Sequence, residues 1–134
     1  MSVIVTDDGF AADDNCGTFV PLVEAGAATQ AIDIFSDAGP DAILAATGAE
    51  VIRIDFPSFS DGRGFTLAAI LRRAGFKGRL RARGHVIADQ YAMARRSGFD
   101  EVEIDDDLAA RQTEDQWMAR AKWRNHDYQA RLRG

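Results

Sequence analysis

The stretch Val51-Ile-Arg-Ile-Asp-Phe-Pro-Ser-Phe-Ser-Asp-Gly-Arg-Gly-Phe-Thr66 reads as three pieces of structure in succession. Val51 to Phe56 alternates apolar and charged residues, the period of a strand with one buried face. Pro57 to Gly64 is a polar, glycine-bearing loop stiffened by its proline. Phe65 and Thr66 then lead into Leu67, Ile70, Leu71 and Ala74, an apolar stripe at helical spacing. Strand, loop and helix together make one βα unit.

The unit repeats on both sides. Gly26, Gly48, Gly75 and Gly98 are spaced 22, 27 and 23 residues apart. Each precedes a short strand-like run: Ala31-Ile-Asp-Ile-Phe35, Val51 to Phe56, Arg79-Leu-Arg-Ala-Arg83 and Glu101-Val-Glu-Ile104. Pro40 suits the first turn of a helix running to about Thr47. Val86, Ile87, Tyr91 and Ala94 form the stripe of a third helix. Two helices end alike, in Arg72-Arg-Ala-Gly-Phe76 and Arg95-Arg-Ser-Gly-Phe99: cations at the negative end of the dipole, a left-handed glycine cap, and a phenylalanine that folds back on the last turn. Four such units predict a parallel sheet with right-handed helical crossovers.

Strands covered on both faces should be almost wholly apolar, and these are not. Ile32 and Ile34, Ile52, Ile54 and Phe56, Leu80 and Ala82, and Val102 and Ile104 fall on one face. Asp33, Arg53, Asp55, Arg79, Arg81, Arg83, Glu101 and Glu103 fall on the other. The fold expected is α/β, about four βα repeats forming a parallel, half-barrel-like (TIM-like) sheet with helices on one face; the alternative is a flavodoxin-like open sheet. The concave charged face would meet water, a ligand, the N-terminal arm or another subunit. Left uncovered, it would carry surface ion pairs contributing no more than about 1 kcal/mol each.

One domain over residues 1–134 is expected, with an N-terminal arm over 1–25, the repeats over 26–106 and a C-terminal helix over 107–134. In the arm, Val3-Ile-Val5, the turn Asp7-Asp-Gly9 and Phe10 suggest a hairpin, Asp13 to Gly17 a polar loop, and Phe19 to Leu22 an extended piece that Pro21 keeps out of a sheet centre. Asp105-Asp-Asp107 is an acidic cap for the last helix, whose stripe includes Trp117, Ala121 and Tyr128. Trp123 sits off that stripe.

The chain has 134 residues, 46% of them hydrophobic, with a formal net charge of −5. No apolar run approaches the roughly 20 residues that span a bilayer. The N-terminus is acidic and carries no export signal, which leaves the cytoplasm as the expected compartment. Cys16 is alone, so neither an internal disulfide nor a Cys-x-x-Cys redox pair can form. No Lys or Arg precedes Arg53, while nine Asp and Glu fall within residues 1–50. That asymmetry could hold the N-terminal part against the rest, or pair two copies head to tail; equally, each half could present a solvated charged face. The low pI and the lack of a basic aromatic patch argue against nucleic acid.

In parallel α/β units, ligands meet the loops that follow the carboxyl ends of the strands. Those loops hold Ser58, Ser60, Asp61, Gly62, Arg63 and Gly64, then Gly84 and His85, then Asp105 to Asp107. The first has the ingredients of an anion site: glycines for close approach, a helix N-terminus and the forked donor of Arg63. It matches neither a phosphate-cradling loop nor a dinucleotide fingerprint, and it also reads as a turn closed by Ser60 or Asp61. His85, with Asp89 at i+4, is a candidate acid or base, or half of a surface ion pair. No metal site is expected, because His126 lies in the terminal stretch, and no cofactor motif is present. Arg79, Arg81 and Arg83 could receive an anion, or pair with Asp55 and Glu103.

The segments Phe56 to Phe65, Gly75 to Gly84, Asp89-Gln90 and Ser97 to Asp100 resemble a bacterial family, domain of unknown function 934. The likeness is closest over residues 48–105, with Tyr128-Gln129 a weaker match. It implies a gene beside assimilatory sulfite reductase and a role linked to oxidoreductases of sulfite reduction, without naming a catalytic residue. Where the family usually has Gly-Asp-Val, this chain has Gly84-His-Val86. The leading expectation is a cytoplasmic accessory protein of sulfur assimilation that docks sulfite reductase or a related redox protein through its charged face or rim. One alternative is a small enzyme binding an anionic substrate at Asp61 to Arg63 with His85 as acid or base. Another is a structural homo-oligomer whose concave faces close on each other.

Overall fold

All four strands expected from the alternation form, and three more join them. The computed structural model describes residues 2–12, 18–26 and 28–121. Its strands are β1 (Ser2–Thr6), β2 (Gly9–Ala12), β3 (Val20–Pro21), β4 (Ala31–Ile34), β5 (Val51–Phe56), β6 (Arg79–Gly84) and β7 (Glu101–Asp105). They make one open sheet in the order β2-β1-β7-β6-β5-β4-β3. β3 to β7 pair in parallel with one another, and β1 pairs antiparallel with both β7 and β2. The N-terminal arm is therefore part of the sheet, supplying both of its edges. Pro21 sits in the edge strand β3, where its missing N–H costs no ladder bond.

The helices are α1 (Arg63–Arg73), α2 (Tyr91–Ser97), α3 (Asp106–Arg111) and α4 (Glu114–Met118). The helix expected after Pro40 is only a 3-10 turn, Ala42–Ala46. The seven residues between Pro40 and Gly48 are too few to repay the cost of nucleating an α-helix. Past the fourth repeat strand, residues 106–118 form two short helices instead of one, broken at Gln112 and Thr113. The Trp117 indole N–H donates to the Gln112 carbonyl across that break, at 3.0 Å. Asp105 caps α3 as its sequence suggests, accepting from the Leu108 N–H at 2.8 Å. Cys16 and the Asp13 to Gly17 loop, together with Trp123, His126 and Tyr128-Gln129, lie outside the described residues.

Apolar strand residues Ile32, Ile34, Ile52, Ile54, Phe56, Leu80, Ala82, Val102 and Ile104 share one buried cluster with Leu67, Ala68 and Leu71 of α1, Tyr91 and Ala94 of α2, and Trp117 of α4. The paired helix caps form as the sequence predicts. Gly75 and Gly98 take positive φ, and the Phe76 and Phe99 N–H groups reach back to the Leu71 and Ala94 carbonyls at 3.0 Å. Both phenylalanines are buried. Arg72 joins the two caps, donating to the carbonyls of Phe76, Gly78 and Gly98 and to Asp100.

Candidate functional site

Much of the polar sheet face is a connected ion-pair chain, and its centre is buried. Arg53 grips Asp33 through two bonds of 2.6 and 2.9 Å and reaches Glu103 at 3.2 Å. Arg81 binds Glu101 at 2.6 Å and Glu103 at 2.9 Å, and Arg79 binds Glu101 at 2.7 Å. Arg81 is 0% exposed, and Glu101 and Glu103 are 6% and 5% exposed. The expectation of solvated surface pairs does not describe them. Burial alone would lower the Arg53 guanidinium, but Asp33 and Glu103 reverse that and hold it above its ordinary value. Phe19 lies over Arg53, 3.9 Å from guanidinium carbon to ring centroid, and 5.8 Å from Arg81, a cation–π lid from the N-terminal part. With Asp33 on Arg53 and Asp7 on Arg95 at 3.3 Å, the acidic first third pairs in part with the basic remainder of the same chain.

At the carboxyl ends of the strands, the loop after β5 is engaged with itself. Arg63 binds Asp61 through Nε at 3.0 Å and Nη2 at 2.7 Å, and its backbone N–H donates to the same carboxylate at 3.1 Å. The Ser36 hydroxyl adds a bond to Asp61 at 3.0 Å. The Arg63 side chain and backbone N–H hold the Asp61 carboxyl well below the usual carboxylate range. The helix terminus and the forked donor therefore already face an anion, one that the loop supplies. Gly62 stands at the N-cap of α1 without a side-chain cap. Gly64 makes room for a ring: a Cβ there would lie 2.5 Å from Phe56 Cζ. Ser58 and Ser60 meet each other at 3.2 Å on the exposed surface.

Beside this loop, a pocket of about 360 Å³ opens over the ends of β5, β6 and β7. Asp55, Arg83, His85 and Arg111 line it, with Pro57, Phe59 and Leu108 as apolar wall. The His85 Nδ1 lies 3.2 Å from the Phe56 carbonyl, which can only accept, so the tautomer that makes this bond carries its proton on Nδ1 and leaves Nε2 as an acceptor. The Phe59 ring packs edge-on against His85 at 5.1 Å. Arg83 reaches Glu103 at 3.5 Å and is half-exposed. Asp55 and Arg111 have no hydrogen bond or ion pair among the described residues.

The sequence-derived candidates thus separate. Arg63 and Ser36 line a different hollow of about 260 Å³. Asp89 lines a different hollow from His85 and pairs with Arg120 at 2.7 Å. Among the described residues, no group of three or more His, Cys, Asp or Glu is arranged to hold a metal ion. A larger hollow, about 710 Å³, lies at the amino ends of the strands, lined by Arg72, Arg95, Lys77 and Asp100. Arg72 and Arg95 there are bound to cap carbonyls, which marks it as a structural seam. Sequence reasoning missed Arg111, because nothing local announces that the last turn of α3 folds over β7. It also missed Gln90, whose side chain accepts from Ile87 N–H at 3.0 Å and donates to the Phe59 carbonyl at 2.9 Å, tying the loop to the following helix. The family-like Asp89-Gln90 dipeptide was the available signal.

Residues 31–134 match the family described as Bacterial protein of unknown function (DUF934). The chain belongs to it. The matched span takes in β4 to β7, the Asp61 loop, His85 and Arg111. No curated protein and no solved structure matches the chain. Among the described residues, no helix of this family member is long and apolar enough to cross a membrane.

Proposed function

We propose that the protein is a cytoplasmic accessory component of assimilatory sulfite reduction, which acts by docking sulfite reductase or a related redox protein. The pathway rests on the genomic setting that the family resemblance implies. The docking mode rests on one observation: three large apolar side chains stand exposed in the acidic N-terminal part, two of them beside the β3–β4 edge. Val23 is 93%, Phe35 57% and Leu44 43% exposed. The register Pro21↔Asp33 sets Val23 and Phe35 at the same end of the β3–β4 edge. Exposed Glu24, Asp37 and Asp41 flank these residues in the chain. Apolar anchors within a ring of one charge suit a partner with a basic rim. The charged sheet face, by contrast, spends its groups internally.

We also read the sheet as a partial barrel. The sequential order β3 to β7 supports this, since right-handed crossovers that all step the same way put their helices on one face. Ala12 and Val20 lie on opposite edges strands, β2 and β3. The peptide between them reaches at most about 29 Å, and six interstrand spacings of about 4.8 Å come to a similar length. Curvature would shorten that path. The enzyme reading is weaker, because Arg63 and His85 line separate hollows.

Deletion of the gene followed by growth on sulfate or on cysteine tests the pathway: growth should fail on sulfate and recover with cysteine, and normal growth on sulfate would end the proposal. Complementation with a Val23→Glu/Phe35→Glu double variant tests the surface. Restoration of growth to the wild-type rate would remove the β3–β4 edge as the docking site.

A further inference from the structure

We propose that the rim pocket binds a small zwitterion of the α-amino acid class, with Asp55 receiving the ammonium and Arg111, aided by Arg83, receiving the carboxylate. This does not rest on the docking reading, which concerns another edge of the sheet.

The argument is one of unspent charge. Two of the pocket's carboxylates are committed elsewhere: Glu103 to Arg53, Arg81 and the Ser2 hydroxyl, and Asp105 to the cap of α3. Asp55 and Arg111 have no bond or ion pair among the described residues, and Arg83 holds only the 3.5 Å contact. One free carboxylate and one free guanidinium therefore line the same hollow. A simple anion would face Asp55 and a simple cation would face Arg111, while a ligand carrying both charges satisfies both.

Backbone geometry fixes the turn beside the carboxylate. Gly84 takes φ +107, and a Cβ there would stand 3.5 Å from Asp55 Oδ1 and 2.8 Å from the Phe56 carbonyl oxygen. The positive φ and the close Phe56 carbonyl therefore demand glycine here, and Asp55 stands within contact distance of this turn where β6 leads into His85. Pro57, Phe59 and Leu108 give the remaining wall an apolar character, suited to an aliphatic or thioether side chain. His85 Nε2 offers one further acceptor to the ammonium. A volume of about 360 Å³ accommodates a free amino acid.

The test is calorimetric titration of the full chain with the twenty standard L-amino acids, each to about 10 mM. An apolar member should bind. Its N-acetyl derivative, which lacks the cation, and the corresponding amine, which lacks the carboxylate, should each bind at least about tenfold more weakly. Asp55→Asn and Arg111→Gln should each cost a similar factor. Binding of none of the twenty, or binding indifferent to the two variants, would overturn the assignment. Tighter binding of the N-acetyl acid would show an anion site and would overturn it as well.

Discussion

Arg53 and Asp55 lie two residues apart on one strand and point to the same side of the sheet, yet they do different things. Arg53, with Arg81, Glu101 and Glu103, belongs to the middle of the polar face, where every charge finds an opposite one on a neighbouring strand and water is largely excluded. Asp55 belongs to the rim. Its register neighbour is Arg83, which leans to Glu103 and leaves Asp55 without a partner among the described residues. One alternating pattern has produced both a structural ion-pair network and an unsatisfied binding rim. Position along the strand, not residue type, separates the two.

The largest expected effect comes from breaking the middle. Glu103→Gln removes the charge that Arg53, Arg81 and Arg83 share, and Arg81 has no route to solvent. Loss of one partner from a buried pair costs about 3–5 kcal/mol, readable as a lowered midpoint in urea unfolding. A cost under about 1 kcal/mol would mean that the face behaves as exposed surface, and the contrast between centre and rim would collapse. Asp61 tests the intermediate case, a rim carboxylate that is paired. With its folded pKa depressed, it contributes stability above its unfolded value near 4, and this is lost as pH falls through the folded value. By NMR titration Asp61 should stay ionised to below the ordinary carboxylate range, and Arg63→Gln should return it to that range. Titration of Asp61 in the ordinary carboxylate range in the wild type would erase the distinction.

Much of the scaffold was legible because it rests on local rules. The strand runs were bounded by glycines and alternation, and the Gly75 and Gly98 caps form where the repeated Arg-Arg-x-Gly-Phe pattern sets them. The sheet's completion was not legible. That β1 pairs with β7, 97 or more residues away in sequence, depends on tertiary assembly and leaves no periodicity. The charged face was visible as a pattern, but its burial was not, because Phe19 covers it from a segment with no pattern of its own. At the site, the loop glycines and Arg63 looked like an anion cradle. Sequence could not reveal that Asp61, two residues earlier, would occupy it. Arg111 escaped notice because only the turn of α3 over β7 brings it to the rim.

The smallest effect is the most discriminating. Asp55→Asn keeps the shape of the side chain, and Asp55 has no ion pair to lose among the described residues. Its stability should change by no more than about 0.5 kcal/mol, with no shift in the urea midpoint beyond error. A residue that held the fold as Glu103 does could not be neutralised so cheaply. A drop of 2 kcal/mol or more, about the cost of orphaning a buried charged partner, would make Asp55 one more member of the structural network. Free of that duty, a carboxylate kept half-buried beside Gly84 is explained by what it is there to hold.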